Sequence, residues 1–305
     1  MLFRRWRPRA ELRPRARSSG GDGAALRIRW LGTAGHVIET ATTTVLIDPF
    51  LTRPRLWRLL GRLEPDEAAI TARVPARVDA VLCGHSHYDH LLDAPAIARR
   101  TGARLYGSAS TCAFGRAAGL PDAQLGLVPP EGARFTVGDL DVRFVPSRHG
   151  RILFGRVPFD GAVAAPPPLP ARAWHYRMGG AYGILMRAHN TSVYHNGSAD
   201  LVDAELAPSD VRADVLLVGL AGRRSTPRYL ARLIDALAPK VLVPTHHDAF
   251  FAPLDHGLHL LPGIDLDGFA SEARALAPAA TLVTPDYDEW LAIPPDDARG
   301  AALLA

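Results

Sequence analysis

The sequence predicts an α/β (α+β) protein with two β-rich halves, about 26–150 and 180–290, each with helices on its outer side. The first observation behind this prediction is that short apolar, β-branched runs alternate with helical stretches in both halves. The second is that His and Asp residues follow several of these runs, so that side chains from different strand ends can meet at one edge. The third is size, because 305 residues, of which 48% are hydrophobic, can bury a sizeable core.

Positive charge is concentrated at the start of the chain, which predicts a disordered, Arg-rich arm over residues 1–24. Residues 1–23 contain seven arginines and two acidic residues, whereas the whole chain has a formal charge of +4, so the remainder is close to neutral. The arm could make a weak contact with a membrane surface or with RNA, although a solvated tail is the simpler interpretation. A single domain is expected over 25–295, followed by a frayed tail over 296–305.

The cysteine content and the hydropathy pattern indicate a cytoplasmic protein without a transmembrane segment. Cys83 and Cys112 are the two cysteines, which are too few for a disulfide framework in a chain of this length. No apolar stretch approaches the roughly 18 residues that span a bilayer, and the arm lacks the apolar region of a secretory signal. The near-neutral body argues against nucleic acid as a partner.

A dense group of His and Asp residues lies between a predicted strand at 78–82 and a predicted helix at 91–100. The group comprises His85, His87, Asp89 and His90. Neutral imidazoles suit zinc, and a carboxylate beside them suits a second ion or a bound water. The sequence has no Cys-x-x-Cys pair, which excludes a zinc finger. We therefore predict a metal centre here, in preference to surface or core histidines without a ligand.

The same run resembles the signature of the metallo-β-lactamase superfamily of metal-dependent hydrolases, which it fits without a gap. The run is His85-Ser86-His87-Tyr88-Asp89-His90. Within the superfamily, the chain is most similar to the branch of lactonase-like and N-acylphosphatidylethanolamine phospholipase D-like enzymes. The resemblance covers about residues 26–290. It implies a four-layer αββα sandwich, the metallo-β-lactamase fold, with the site where the two sheets meet at one edge.

The first half begins with a predicted half-buried strand at 26–31 and a hairpin at 36–40 and 43–47. This hairpin ends at Asp48. The resemblance implies that an aspartate in this place holds the second nitrogen of a histidine ligand. A capping or turn role is equally compatible with an aspartate before proline.

The later part of the first half contains a further candidate metal ligand. A strand is predicted at 103–106, a helix at 110–118, and a second hairpin over 134–145. His149 follows this hairpin directly, where the family places the third ligand of its first metal. A zinc site needs at least three protein ligands, so we expect His149 to complete the first site.

A long loop is predicted over residues 151–173, after His149, because this stretch is rich in proline and glycine. A loop of this length can act as a lid, with Phe154, Val157 and Phe159 as an apolar wall, or can be a simple surface insertion. Three residues after the loop are candidate substrate-binding groups, although solvent exposure would explain them nearly as well. They are His175, Tyr176 and Arg177.

The strand predicted at 191–195 opens into a turn at which the chain departs from the pattern of the family. The family has an aspartate directly after the glycine of this turn, and its carboxylate bridges two metals. Here Ser198 occupies that place, and Asp200 follows two residues later. Either Asp200 supplies the bridge as a metal ligand, or the second metal is weakly bound or absent.

The last predicted ligand follows a strand at 241–243 and a proline. His246 aligns best with the final ligand of the family, and His247 is the alternative. His256 and His259 lie on the next predicted loop, where they could line the cleft.

The resemblance implies zinc as the cofactor, with one or two ions. His85, His87 and His149 would hold one ion, and Asp89, His90 and His246 the second. Asp89 would be catalytic, because it could orient a zinc-bound hydroxide or accept its proton. The implied reaction is hydrolysis of a phosphodiester, phospholipid, lactone or ester, so the partner would be a small-molecule or lipid-like substrate. A nuclease acting on RNA or DNA and a non-hydrolytic metal-binding protein are the alternatives.

Overall fold

The computed structural model describes residues 4–9, 12–13, 26–152 and 154–294. The elements up to residue 146 are β1 (Arg4–Arg5), β2 (Leu26–Gly32), β3 (Gly35–Glu39), β4 (Thr44–Ile47), β5 (Arg62–Leu63), α1 (Glu67–Arg73), β6 (Ala80–Leu82), α2 (Tyr88–Leu91), α3 (Ala94–Thr101), β7 (Arg104–Gly107), α4 (Ala109–Ala117), β8 (Leu125–Leu127), β9 (Ala133–Val137) and β10 (Leu140–Pro146). The later elements are β11 (Ala171–Arg172), β12 (Tyr182–Ala188), β13 (Thr191–Asn196), α5 (Asp203–Leu206), β14 (Val215–Gly219), α6 (Tyr229–Leu237), β15 (Val241–Thr245), β16 (His259–Leu260), α7 (Leu266–Leu276), β17 (Thr281–Leu282) and β18 (Trp290–Ile293). Short 3-10 helices lie between them, including Leu56–Leu60 and Ala173–His175.

Two seven-stranded mixed sheets form the centre of the molecule. The first has the strand order β18–β2–β3–β4–β6–β7–β8, and the second has the order β17–β15–β14–β13–β12–β10–β9. The strands β4, β6, β7 and β8 are parallel in the first sheet, as are β13, β14, β15 and β17 in the second. Because parallel strands end at the same edge, the loops after them lie close together.

The two sheets do not coincide with the two predicted halves. β10 from the first half pairs with β12 of the second sheet, and β9 follows it at the edge. β18, near the end of the described chain, pairs with β2 in the first sheet. Local periodicity predicts where strands lie, but their partners depend on packing between distant segments, which no short pattern records.

Both faces of each sheet are buried, which produces four layers. Successive side chains of a strand point to opposite faces, so Val45 and Ile47 of β4 belong to the core between the sheets and Leu46 to the core under α1, α3 and α4. In the second sheet, Leu217 joins the central core and Leu216 the core under α6 and α7. The layer order helix, sheet, sheet, helix confirms the predicted αββα arrangement.

Polar caps and a glycine define the ends of the helices beside the first sheet. The Asp66 carboxylate accepts hydrogen bonds from two backbone N–H groups in the first turn of α1, and the Ser108 hydroxyl accepts one from Thr111 in α4. Gly102 ends α3 in a left-handed conformation, with φ of 76°. Within the described ranges, every helix falls short of the length and hydropathy that a membrane span needs.

Part of the Arg-rich arm packs on the body, which differs from the expected disordered arm. In β1, Arg4 lies opposite Leu260 of β16, and the Trp6 N–H donates a hydrogen bond to the Leu258 carbonyl at 3.0 Å. Leu12 is only 8% exposed and joins the core under α6 and α7. The rest of the arm, at 1–3, 10–11 and 14–24, and the tail at 296–305 lie outside the described residues.

Candidate metal centre

Six of the seven predicted metal ligands lie in two adjacent groups at the edge of the sheets. The groups are His85, His87, His149 and Asp89, His90, His246, and in each the ligand atoms lie within 4.8 Å of one another. The ring centroids of His85 and His90 are 3.8 Å apart, so the two groups are direct neighbours. Two adjacent groups of this kind could hold two ions.

Three strand ends deliver these six side chains. The segment after β6 carries four of them, with His85 and His87 on the loop and Asp89 and His90 in α2. β10 leads to His149, which forms an isolated β-bridge with Ala199. β15 ends directly before His246, which has a left-handed φ of 52° and donates its backbone N–H to the Thr33 carbonyl at 2.7 Å.

Asp48 lies behind His90 and orients its ring. Nδ1 of His90 is 2.9 Å from Oδ2 of Asp48, whose other oxygen accepts a hydrogen bond from the Gly84 N–H at 2.6 Å. Nε2 of His90 consequently faces the second group, 3.3 Å from Nε2 of His246. This geometry fits the expected supporting role of Asp48. Its φ of 42° indicates that Asp48 also forms the turn after β4.

The donor set of the first group fits a metal ion. Among the described side chains, Nε2 of both His85 and His87 is buried without a hydrogen-bond partner. Burial, and then the neighbouring histidines, holds the pKa of His85 well below its ordinary value. Burial also lowers the pKa of His87 to about 4 and that of His149 to about 3. Neutral imidazoles with free lone pairs are the form that binds transition metals.

Asp89 is ionised at neutral pH. Burial alone would raise the pKa of its carboxyl group, but the neighbouring His90 and His246 outweigh burial and hold the pKa below its ordinary value. Oδ2 of Asp89 lies 3.3 Å from Nε2 of His246 and 3.8 Å from Nε2 of His90. A charged carboxylate in this position can bind a cation or accept a proton.

Asp200 belongs to neither group. Its Oδ1 accepts a hydrogen bond from the Leu201 N–H at 2.8 Å, and Asp200 lines a cavity of about 620 Å³ that also contacts His149. Ser198 is buried, with its hydroxyl 3.5 Å from Oδ1 of Asn196. The structure therefore does not bring Asp200 between the two groups, where a bridging carboxylate would lie.

The two histidines after β15 have different surroundings. His246 lies in the second group, as its alignment suggested, whereas the buried ring of His247 stacks on Trp30 with centroids 4.7 Å apart. His256 and His259 do not line the cleft that opens over the two groups.

A cleft of about 750 Å³ opens over both groups, and its walls are mostly apolar. His87, Asp89, His149 and His246 are exposed to it from the metal groups. The walls come from several segments that are far apart in the sequence, and their large apolar side chains include Leu56, Leu59, Leu60, Ile152, Phe159, Trp174, Leu220, Phe250, Phe251, Leu261 and Ile264. Three arginines, Arg151, Arg223 and Arg224, also line the cleft. The apolar walls include Phe159 from the predicted lid but not Phe154, which is fully exposed.

The three predicted substrate-binding residues lie outside this cleft. Tyr176 turns inward and stacks on Phe114 at 4.2 Å. The Arg177 guanidinium donates a hydrogen bond to the Asp160 carbonyl at 2.8 Å, and Nδ1 of His175 accepts one from the Arg172 N–H at 3.4 Å. The neighbouring Trp174 lines the cleft instead. No sequence pattern around Trp174 predicted this position.

Comparisons with known proteins agree on one superfamily. A family model described as beta-lactamase superfamily domain matches residues 43–247. A UPF0173 metal-dependent hydrolase of Methanopyrus kandleri is 27% identical over 74% of this chain and 85% of that protein. Another, of Carboxydothermus hydrogenoformans, is 27% identical over 85% of this chain and 97% of that protein.

Two solved structures share the fold at low sequence identity. Igni18, a metallo hydrolase of Ignicoccus hospitalis, is 18% identical with a TM-score of 0.59, over 87% of this chain and 97% of that chain. An isothiocyanate hydrolase from Delia radicum gut bacteria is 17% identical with a TM-score of 0.54, over 88% of this chain and 99% of that chain.

Proposed function

Because the chain belongs to the beta-lactamase superfamily, whose domain model matches residues 43–247, we propose that it is a metal-dependent hydrolase. The observation that carries this proposal is the pair of adjacent groups of potential metal ligands at the base of a substrate-sized cleft. The relatives at 27% identity bear the name metal-dependent hydrolase, which supports the same reaction class.

Zinc is the metal that we propose for this centre. His85, His87 and His149 would hold one ion, and Asp89, His90 and His246 the other. Five imidazoles and one carboxylate form a donor set that zinc accepts readily. When bound, the metal would supply Lewis acidity, which activates water and polarises the carbonyl or phosphoryl oxygen under attack.

Asp89 is the proposed proton acceptor. Its carboxylate is charged at neutral pH, and its side chain is exposed to the cleft, where it can accept a hydrogen bond from the attacking water. Asp48 keeps the ring of His90 in place, 2.9 Å behind it. The remaining walls are mostly apolar, so a bound substrate with an apolar group would displace water from them.

The proposed substrate is a phosphodiester, phospholipid, lactone or ester with an apolar group. The cleft volume of about 750 Å³ and the apolar walls favour an acyl chain or a similar group. Arg151, Arg223 and Arg224 favour a negative charge elsewhere on the molecule, although Arg223 also pairs with Glu272 at 2.6 Å. A sugar–phosphate chain would meet apolar side chains over most of this surface, so a nuclease fits less well.

A panel of hydrolase substrates tests this proposal. Metal-loaded protein would be assayed with bis(p-nitrophenyl) phosphate, with lactones, and with p-nitrophenyl esters of increasing acyl length. We expect turnover of at least one class and a kcat/KM that rises by up to about fourfold per added methylene, because each buried CH₂ contributes about 0.8 kcal/mol.

The matched variants are Asp89→Asn and the surface control Asp122→Asn. Asp89→Asn should lower kcat by about 10²–10⁴-fold, as expected for loss of a general base. Asp122 does not line the cleft and forms a surface ion pair with Arg116, so its variant should keep the wild-type rate. Metal-loaded wild-type protein that turns over none of these classes would refute the hydrolase proposal.

A further inference from the structure

Exposed apolar side chains are concentrated around the mouth of the cleft. Among the described residues, ten large hydrophobic side chains are more than one third exposed, and eight of them lie within 55–64 and 151–174. The eight are Leu56, Trp57, Leu60, Ile152, Phe154, Phe159, Leu169 and Trp174. Phe154 is 100% exposed and Leu60 is 74% exposed, which is unusual for side chains of this size.

The two segments form one continuous surface, which we call the cleft rim and define as residues 55–64, 151–152 and 154–174. β5 pairs with β11, so that Leu63 lies opposite Ala171, and the Arg62 guanidinium donates a hydrogen bond to the Pro170 carbonyl at 2.7 Å. The 3-10 helix Leu56–Leu60 directly precedes β5, and the 3-10 helix Ala173–His175 directly follows β11. Leu60 and Trp174 line the same cleft, so both helices border its opening.

The cleft rim is also positively charged. It contains six exposed arginines, Arg55, Arg58, Arg62, Arg151, Arg156 and Arg172, against the two acidic residues Glu64 and Asp160. No carboxylate in the described part of the chain forms an ion pair with any of these six arginines. Arg58 lies over the ring of Trp57, and Arg172 over that of Trp174, with guanidinium carbons 5.4 and 5.0 Å from the ring centroids.

We infer that the cleft rim docks on the surface of an anionic lipid bilayer. Tryptophan and arginine side chains suit the zone between headgroups and acyl chains, where rings meet an apolar environment and guanidinium groups meet phosphates. A second copy of this chain is a less suitable partner for the cleft rim. A symmetric contact would bring the six arginines of one copy against the six of the other, and like charges repel. Docking in this position places the opening of the cleft against the bilayer. This inference goes beyond the proposed function, since docking requires no hydrolysis.

Binding to vesicles tests the inference. The full chain would be sedimented with vesicles of phosphatidylcholine alone and of phosphatidylcholine with about 30% phosphatidylglycerol. We expect clear binding to the anionic vesicles, weaker binding to the neutral ones, and loss of most binding in 0.5 M NaCl, because salt screens the arginines.

Trp57→Asp and Leu127→Asp are matched variants for this experiment. Trp57 is 64% exposed on the cleft rim, and Leu127 is 61% exposed on β8 outside it. Trp57→Asp should lower the partition coefficient on anionic vesicles at least fivefold, whereas Leu127→Asp should stay within about twofold of wild type. Trp57 does not line the cleft, so turnover of a short-chain p-nitrophenyl ester should be unchanged in both variants.

Three outcomes would overturn the inference. They are absence of wild-type binding to anionic vesicles, equal binding by wild type and Trp57→Asp, and a wild-type dimer in solution that Trp57→Asp converts to a monomer. The last would assign the cleft rim to self-association. Because the ester assay is separate from the vesicle assay, failure of docking and failure of the hydrolase proposal are distinguishable.

Discussion

Ser198 is the single residue with the largest consequence for the metal centre. Where the family pattern has a bridging aspartate, this chain has a hydroxyl that points toward Asn196, and the Ser198 carbonyl accepts a hydrogen bond from the Gly150 N–H at 2.7 Å. Two dications held at about 3.5–4 Å repel each other strongly when no carboxylate lies between them. We therefore expect the second ion to bind more weakly than the first.

Two substitutions separate the roles of Ser198 and Asp200. Ser198→Asp should raise the occupancy of the second metal, because it restores the carboxylate that the family pattern has at this position. Asp200→Asn should leave the metal content unchanged, since the Asp200 carboxylate accepts a hydrogen bond from its neighbour Leu201 and lies in neither group. Elemental analysis after dialysis measures both effects. If Asp200→Asn instead loses about half of the metal, Asp200 is a bridging ligand.

At the residue level, close spacing made four of the six candidate ligands predictable. His85 and His87 lie on the loop after β6, and Asp89 and His90 lie in the short helix α2 that follows it, so no long-range packing is needed to bring them together. The candidates His175, Tyr176 and Arg177 do not line the cleft, because residue type alone does not tell which side chains in and after a short 3-10 helix face it. The cleft walls were not predictable as a set, since they come from segments far apart in the sequence.

At the level of the structural elements, a buried ion pair links the loops that follow β2, β4 and β15. Arg53 and Asp248, 195 positions apart, form this pair with almost no exposure. Asp248 also accepts hydrogen bonds from the Thr33 N–H at 2.9 Å and from the Tyr287 hydroxyl at 2.8 Å. The Thr33 carbonyl in turn accepts a hydrogen bond from the His246 N–H. The ion pair of Arg53 and Asp248 therefore supports the backbone of a proposed ligand.

Asp248→Ala should be strongly destabilising. Removal of one partner leaves the Arg53 guanidinium buried without its counter-charge, which costs about 3–5 kcal/mol in the free energy of unfolding. Urea denaturation measures this loss. The control Asp122→Ala breaks the exposed pair with Arg116 and should cost less than about 1 kcal/mol. Equal stability of the two variants would show that the buried pair is not important for the loops.

At the scale of the whole molecule, the sequence was sufficient to predict the four-layer arrangement of the fold. The metallo-β-lactamase fold is confirmed by the family match and by two facing sheets with helices outside. The exchange of β9, β10 and β18 between the halves was not predicted, because pairing partners depend on tertiary contacts. The assignment to the lactonase-like branch, zinc as the metal and a cytoplasmic location stay predictions.

The arm provides a test of packing across the molecule. Its composition suggested a solvated tail, but β1 pairs with β16, and Leu12 is buried near α7. Burial of a leucine side chain contributes about 1.5–3 kcal/mol. A chain that starts at Ala24 should therefore melt several degrees below the full chain, by roughly 2–4 °C per kcal/mol lost. Differential scanning calorimetry on both proteins measures the change, and identical melting temperatures would show that the arm adds nothing to stability.

The central claim is that the two adjacent groups form a metal centre, and the metal content of three proteins tests it most directly. The wild type, His87→Ala and the exposed control His256→Ala would be expressed with added zinc, dialysed and analysed by elemental mass spectrometry. We expect at least about one ion per chain in the wild type and in His256→Ala, and loss of most of it in His87→Ala, since removal of one of three ligands opens the first site. Full metal content in His87→Ala, or a metal-free wild type, would contradict the claim.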